Sequence, residues 1–356
     1  MRALITGCLG LVGSYCSEFL SDASIEVIGI DNDIRSRLFD DVSHLDNDHS
    51  RKIANGLGIS KFLQYDIRDQ GLIDKLIRDE SEDSLDVIIH CAAQPSHDWA
   101  AKDPLMDLTI NLNGTINLLE ALRKYNRDCL FIHLSTNKVY GDLPNGLPLI
   151  ENSTRYEIDQ AHKFFKGIDE SLSIDQSTHS LFGCSKLSAD LYVQEYSRYF
   201  HIPAIILRGS CLTGAKHRGG KLHGFMNYLL RTALEHRSYE VIGYQGKQVR
   251  DNLSGKDIAR LFLKMIESHY SVTRRPTYPL VANMGGGRHN SVSILEIRDL
   301  LCNDFDLDLQ LTFNPVPRIG DHKWYITDNT LLQSIYNWVP KETVSDIVQE
   351  MIDEIQ

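Results

Sequence analysis

Thr6-Gly7-Cys8-Leu9-Gly10-Leu11-Val12-Gly13, TGCLGLVG, follows the apolar run Ala3–Ile5 and opens a stretch where Val12, Cys16, Phe19 and Leu20 recur at helical spacing. A lone GxxGxxG carries little. Lying between a strand and a helix, these glycines suit a dinucleotide: they allow a tight turn, let backbone N–H groups approach a pyrophosphate at the helix N-terminus, and let the helix pack closely on the sheet. Gly7, Gly10, Leu11 and Val12 are therefore candidate cofactor contacts.

The same alternation continues outward. Val27–Ile30, Phe62–Tyr65, Val87–His90 and Leu130–Leu134 are short apolar runs, and Leu112, Ile116, Leu119 and Leu122 keep a helical face between two of them. Buried strands joined by crossover helices predict an α/β fold, a Rossmann-type doubly wound parallel sheet covered on both faces. Ala204–Leu207 and Leu280–Asn283 read as further strands. From about Gly209 the alternation gives way to shorter elements and the Gly- and Lys-rich GAKHRGGK, which predicts a smaller, interleaved C-terminal substrate domain. The expected division is 1–210 with a returning segment at about 254–284 for the cofactor, and about 211–253 with 285–356 for the substrate. The acidic run from Arg78 to Asp86 reads as a solvated helix end.

A chain of 356 residues, 42% hydrophobic and with only 10 prolines, is long enough to bury a sizeable core. Its formal charge of -11 gives no electrostatic footprint for nucleic acid. No apolar run reaches the roughly 20 residues that span a bilayer, and Met1 leads into a strand rather than a leader, so a cytoplasmic protein with no membrane contact is expected. The seven cysteines are scattered, without a CxxC pair or metal-ligand spacing, which reads as reduced thiols and no metal site.

Asp31 closes the second strand, where a carboxylate accepts hydrogen bonds from both adenosine ribose hydroxyls and repels a 2′-phosphate, favouring NAD over NADP; Asn32 follows it, and Arg35 and Arg37 lie close enough to soften the preference. Asp66 and Ile67, in YDIRD at the end of the third strand, suit the adenine, with a helix N-cap as Asp66's rival role. Ala92, Ala93 and Gln94 end the fourth strand, where small residues let the chain pass close to a cofactor.

TGCLGLVG, Asp31, HCAAQ, NLNGTINLLEA, STNKVYGD and FGCSK occur in the order seen in extended short-chain dehydrogenases acting on nucleotide sugars, and the chain resembles that family over nearly its whole length. Within it, STNKVYGD, STRY, DES, GCSK, GKQVRD and GGGRHNSVSILE resemble the branch that epimerises C2 of a CDP-hexose. The resemblance implies NAD as cofactor, a nucleotide-diphosphate sugar (a CDP-hexose above others) as substrate, and a homodimer or higher homo-oligomer pairing through the helix starting near Leu112 and the one carrying Lys186. It implies that Thr136 takes the catalytic Ser/Thr position, that Lys186 holds the nicotinamide ribose hydroxyls and lowers the pKa of a neighbouring phenol, and that Asn111 lies beside the cofactor. It further implies that Arg250 clamps the diphosphate and that Arg318 and Asp321 form an R-x-x-D pair near diphosphate or ribose; Asn137 reads as a substrate hydrogen-bonding group or a turn residue, Lys138 as a substrate contact beside it, and Tyr156 as reaching the sugar or as packing between loops. The family's reaction is redox-neutral: a base removes a hydroxyl proton as hydride moves to NAD, the keto-sugar reorients, and hydride returns to the opposite face.

The sequence departs from the family at its proton acceptor. The tyrosine of YxxxK is Phe182, preceded by Leu181 where the resemblance suggests proline, and phenylalanine cannot take a proton. Three readings follow: a Phe182 introduced to trap a bound substrate, a natural enzyme recruiting another base from Tyr156, His179, Cys184 or Lys138, or a natural protein that binds NAD and a nucleotide sugar without turnover. Asn137 and Lys138 stand where 4,6-dehydratases of the group carry Asp-Glu, which argues against dehydration. The asparagine many relatives place after the strand arginine is Cys211, while Lys216, His217 and Arg218 make a basic patch suited to an anionic substrate.

Overall fold

The computed structural model describes residues 1–34, 47–216, 224–271 and 275–355, so Arg35, Arg37, His217 and Arg218 lie outside the described residues. Seven strands, β1 (Arg2–Thr6), β2 (Glu26–Ile30), β3 (Lys61–Leu63), β4 (Val87–His90), β5 (Leu130–Thr136), β6 (Ala204–Gly209) and β7 (Leu280–Met284), pair in parallel in the order β7-β6-β5-β4-β1-β2-β3. This is the doubly wound parallel sheet the sequence predicts. The order reverses beside β1, and the crevice such a reversal opens beyond the carboxyl ends of the strands is where ligands bind in open α/β sheets.

Alternate residues of each strand face opposite layers. Ala3, Ile5, Val87 and Ile89 join one core with Cys16 and Leu20 of α1 (Leu11–Asp22) and Ile258 and Phe262 of α5 (Gly255–Tyr270). Leu4, Ile88 and Phe131 join the other, with Ile73 and Ile77 of α2 (Gln70–Glu82), Leu118 and Leu122 of α3 (Gly114–Tyr125) and Val193 of α4 (Ser180–Phe200).

Three local expectations are corrected. β3 stops at Leu63, because the Tyr65 N–H donates to the Leu63 carbonyl at 3.0 Å and turns the chain off the sheet edge. A π turn over Thr109–Asn113 precedes α3: Leu119 and Leu122 are buried as expected, together with Ile110, Thr115 and Leu118, while Leu112 and Ile116 are only half-buried. The acidic run is not wholly solvated: Glu80 is buried, with Lys61 Nζ donating to it at 2.5 Å and an Arg2 guanidinium nitrogen 3.1 Å away.

Beyond β6, strands Cys211–Thr213, Val249–Ser254, Ser291–Ser293 and Trp324–Tyr325 make a four-stranded sheet, and Ser238–Ile242 pairs in parallel with Gln310–Asn314. Helices Phe225–Leu234, Ile294–Phe305 and Val344–Ile355 build a separate core around Leu229, Val241, Ile297 and Met351. Val249–Ser254 runs straight into α5, capped by Ser254 Oγ accepting from the Lys256 N–H, and so ties this region to the main sheet. Leu332, Tyr336 and Trp338 pack with α1 and α5 rather than in that separate core. Among the described residues no helix is long and apolar enough to cross a membrane.

Candidate functional site

A crevice of about 410 Å³ opens at the carboxyl ends of β1, β2, β4 and β5, on the point where the strand order reverses. Its floor is the glycine turn. Gly7 has φ +67°, a left-handed conformation that glycine adopts without the steric cost a side chain carries, and a Cβ there would lie 2.8 Å from the Ala92 nitrogen. A Cβ on Gly13 would lie 2.2 Å from the Gly7 carbonyl oxygen, so the absence of side chains is what lets α1 begin against the turn. The first bond of helical spacing in α1 is Ser14 N–H to Gly10 O at 2.9 Å, which leaves the N–H groups of Leu11, Val12 and Gly13 at the crevice mouth with the positive end of the helix dipole. A cradle closed to a Cβ and lined with first-turn amides fits a pyrophosphate.

Asp31 lines the crevice at the end of β2, where it accepts the Leu9 N–H at 3.1 Å and the Asp33 N–H at 2.9 Å. Those bonds fix the carboxylate on the crevice wall, where an acidic group at the end of the second strand suits an adenosine ribose diol. Asn32 donates to Asp66 at 2.9 Å, and Arg68 grips Asp66 at 2.6 Å. Burial would raise the Asp66 pKa, but the Arg68 hydrogen bonds hold it below the ordinary carboxylate range, so it presents an anion beside Ile67 on the wall. Ala92 and Ala93 form the opposite wall.

At the far end stand Thr136, Asn137, Lys138, Phe182 and Lys186. Lys186 is buried on α4 and donates to the Leu134 carbonyl at 2.8 Å. Burial, only partly opposed by Asp190, pulls its pKa down to about 8. Lys138 is likewise lowered to about 8 by burial against the opposing pull of Asp321, and donates to the Gly320 carbonyl at 2.9 Å. Beneath them Asp190 accepts from Ser135 at 2.7 Å and from Arg208 at 3.1 Å, a buried ionic network that locks α4 to β5 and β6.

A second cleft of about 230 Å³ shares Pro95 and His97 with the first and carries Arg250, Arg318 and Asp321 with Tyr228, Tyr239 and Gln248. Arg250 pairs with Asp321 and donates to the Val249 carbonyl at 2.9 Å. The Asp321 pKa is pushed up by burial but ends below the ordinary range, because Arg250 and then Lys138 hold the carboxylate charged. Arg318 Nε lies 4.0 Å from Asp98.

Some candidates are not brought to either cleft. Gln94 and Asn111 are buried and turned into a network in which both donate to Asp107 Oδ1, at 2.7 and 3.0 Å, and Asn111 reaches Ser185 Oγ at 3.0 Å; they brace the loop after β4 against α4 instead of touching the crevice. Tyr156 lines neither cleft, its hydroxyl 3.4 Å from Glu151 and its ring edge-on to Tyr244. Of the four substitute bases considered, only Lys138 lines the crevice: both His179 ring nitrogens meet backbone carbonyls, of Ser177 at 3.1 Å and Val139 at 2.8 Å, and Cys184 is exposed. His97, which lines both clefts, belongs to no spacing pattern in the sequence.

The sequence pattern of the NAD dependent epimerase/dehydratase family matches residues 3–278. The chain is 33% identical to CDP-paratose 2-epimerase of Salmonella typhi over 359 aligned positions, covering 99% of this chain and 98% of the relative. A tyrosine-to-phenylalanine mutant of UDP-glucuronic acid 4-epimerase from Bacillus cereus, solved with UDP-4-deoxy-4-fluoro-glucuronic acid and NAD, superposes with a TM-score of 0.78 at 26% identity over 100% of this chain and 99% of that one. The Thermus thermophilus UDP-glucose 4-epimerase complex with NAD superposes at 0.77 and 21% identity, over 99% and 98% of the two chains, a likeness of fold.

Proposed function

The chain belongs to the NAD dependent epimerase/dehydratase family, and from that premise we propose that it transiently oxidises one carbon of a nucleotide-diphosphate hexose, as a CDP-hexose 2-epimerase does. The observation that carries this reading is the adjacency of the two clefts, which share Pro95 and His97 in their linings: the first offers the glycine cradle with Asp31 and, at its far end, Thr136 and Lys186, and the second offers Arg250 and Arg318.

NAD in the crevice supplies the oxidant for the sugar carbon and the reductant for its return. Gly7, Gly10, Leu11 and Val12 hold the pyrophosphate by backbone amides, and Asp31 holds the adenosine ribose. Lys186, anchored to Leu134 by one of its three protons, has two left for the nicotinamide ribose. Thr136 hydrogen-bonds the reacting sugar hydroxyl and Asn137 orients its neighbours. Arg250 and Arg318 pair with the diphosphate, planar guanidinium against phosphoryl oxygens. Asn137 and Lys138 stand where dehydratases of the group carry Asp-Glu, so no carboxyl group is placed there to expel a hydroxyl, which favours epimerisation over dehydration. We also assign 1–210 with 254–284 to the cofactor and 211–253 with 285–356 to the substrate, apart from Leu332, Tyr336 and Trp338, which pack with α1 and α5, and infer a homodimer or higher homo-oligomer through α3 and α4, where Tyr125, Leu191, Tyr192 and Tyr199 are exposed.

The test is to load the purified protein with NAD, add CDP-glucose, and follow the reduced-nicotinamide absorbance together with the sugar product. A transient rise followed by a C2-inverted sugar is expected. Phe182 favours a second reading, binding without turnover; tight CDP-glucose binding with a permanently oxidised nicotinamide would establish it. Stoichiometric release of NADH would replace both with a one-way oxidoreductase.

A further inference from the structure

In the family pattern residue 182 carries the proton-accepting hydroxyl, and Phe182 has none. The ring it meets is that of His97. Their centroids are 5.0 Å apart and their planes cross at 67°, an edge-to-face contact that puts the imidazole beside the place a phenol would occupy. His97 is firmly held. It begins the short helix His97–Lys102, whose N-cap Ser96 follows the braced Gln94, and its Nδ1 lies 3.0 Å from Ser180 Oγ, which also accepts the Gly183 N–H at 3.2 Å. Its position is therefore set by the helix that carries Phe182 and Lys186. Gly320 closes its other side, where even a Cβ would come within 3.2 Å of His97 Cε1. Nε2 has no hydrogen-bond partner among the described residues, and His97 lines both the cofactor crevice and the cleft of Arg250 and Arg318.

We propose that His97 is the proton acceptor of this site, standing in for the tyrosine that Phe182 replaces; the proposal rests on the transient-oxidation reading. Nε2 takes the hydroxyl proton of the sugar carbon being oxidised, while the hydrogen on that carbon leaves with its electron pair to the oxidised nicotinamide. On the return both come back to the sugar, so atoms and electrons balance and the imidazolium exists only while the keto-sugar does.

The charged groups facing the imidazole are Lys138 beside β5, Arg250 on the strand Val249–Ser254, and Arg318 and Asp321 in the loop before Trp324. Burial first, then Lys138 and the two arginines against Asp321, lowers the His97 pKa to about 3, so the ring is neutral at physiological pH and able to accept. A diphosphate on Arg250 and Arg318 offsets those cations and raises the proton affinity once substrate is bound. Lys138 is the poorer acceptor, because its ammonium is occupied by the Gly320 carbonyl and lies 4.0 Å from Asp321.

The test uses NAD-loaded His97→Gln with CDP-glucose. Sugar oxidation is expected to fall by about 10²- to 10⁴-fold, the range of a positioned acid–base group, with the CDP-glucose Kd little changed. Phe182→Tyr added to His97→Gln should restore turnover, a rescue that a merely structural histidine would not allow. In a ¹⁵N-histidine titration of the NAD-loaded protein, the resonance missing from His97→Gln should titrate below the ordinary histidine range and move up when CDP is added. Unaltered oxidation by His97→Gln, or a His97 titration indifferent to CDP, overturns the proposal while leaving transient oxidation standing. A wild-type protein that binds CDP-glucose but never reduces its nicotinamide overturns both.

Discussion

Gly13→Ala puts a methyl group 2.2 Å from the Gly7 carbonyl oxygen and 2.7 Å from Cys8 Cα. Both neighbours are backbone, so no side chain can swing away. Carbon–carbon contacts relax at about 3.5–4.0 Å, which means the start of α1 must back off the turn by roughly 1 Å. Overpacking of this kind costs about 1–3 kcal/mol. Because the displaced atoms are those that cradle the pyrophosphate, the cost should appear in cofactor affinity, as about 5- to 150-fold weaker NAD binding at 1.4 kcal/mol per tenfold. Calorimetric titration with NAD measures it. Gly56→Ala is the control, since a Cβ there meets nothing within 4 Å and the site is remote from the crevice lining. A Gly13→Ala protein that binds NAD within about twofold of wild type would refute the claim that this helix-to-turn contact sets the cradle.

Asp31→Ser removes the carboxylate that repels a 2′-phosphate, so NAD binding should weaken and the NADP to NAD affinity ratio should rise; an unchanged ratio in paired titrations contradicts the role given to Asp31. Arg250→Met should weaken CDP binding by about 1.5–3 kcal/mol, the worth of hydrogen bonds to charged groups. It should also destabilise the fold by leaving Asp321 without its chief partner: the folded Asp321 pKa is depressed, so this contribution is fully present above the ordinary carboxylate value and lost as pH falls from there through the lower folded value, and the Tm gap between variant and wild type should close in strong acid. Lys186→Met carries the opposite sign. The folded Lys186 pKa of about 8 lies below the unfolded value of about 10.4, so the charged form is penalised at neutral pH and the penalty fades as pH rises through that window. The variant should be more stable than wild type at pH 7, lose that advantage toward pH 10, and bind NAD poorly; equal Tm values across the range would argue that the Lys186 ammonium is well solvated.

The opening strand, turn and helix were legible because two independent patterns agree there, apolar periodicity and glycines at 7, 10 and 13, and both follow from local geometry. Strand existence was legible for the same reason, while boundaries were not: Tyr65 is apolar enough to extend β3, and only the turn at Leu63 ends it. Only the later half of the α3 face was legible, Leu119 and Leu122 being buried and Leu112 and Ile116 half-buried, because the π turn over Thr109–Asn113 shifts the helical phase, which no 3.6-residue count detects. Glu80 looked solvated because its partners, Lys61 and Arg2, come from strands distant in sequence. Gln94 and Asn111 sit in recognisable motifs, yet Asp107 and Ser185 draw them into the protein. His97 was missed altogether, since a lone histidine after a strand has no signature, and its meaning comes from Phe182, 85 positions away and in contact.

The central claim is that one sugar carbon is oxidised and re-reduced without release of the nicotinamide. It is tested most directly by incubating the NAD-loaded protein with CDP-glucose deuterated at C2 and analysing the recovered sugar by NMR. The account predicts inversion at C2 with the deuterium retained on that carbon and the cofactor oxidised at the end. A recovered sugar of unchanged configuration, or an inverted one whose deuterium has been replaced by solvent hydrogen, would contradict it.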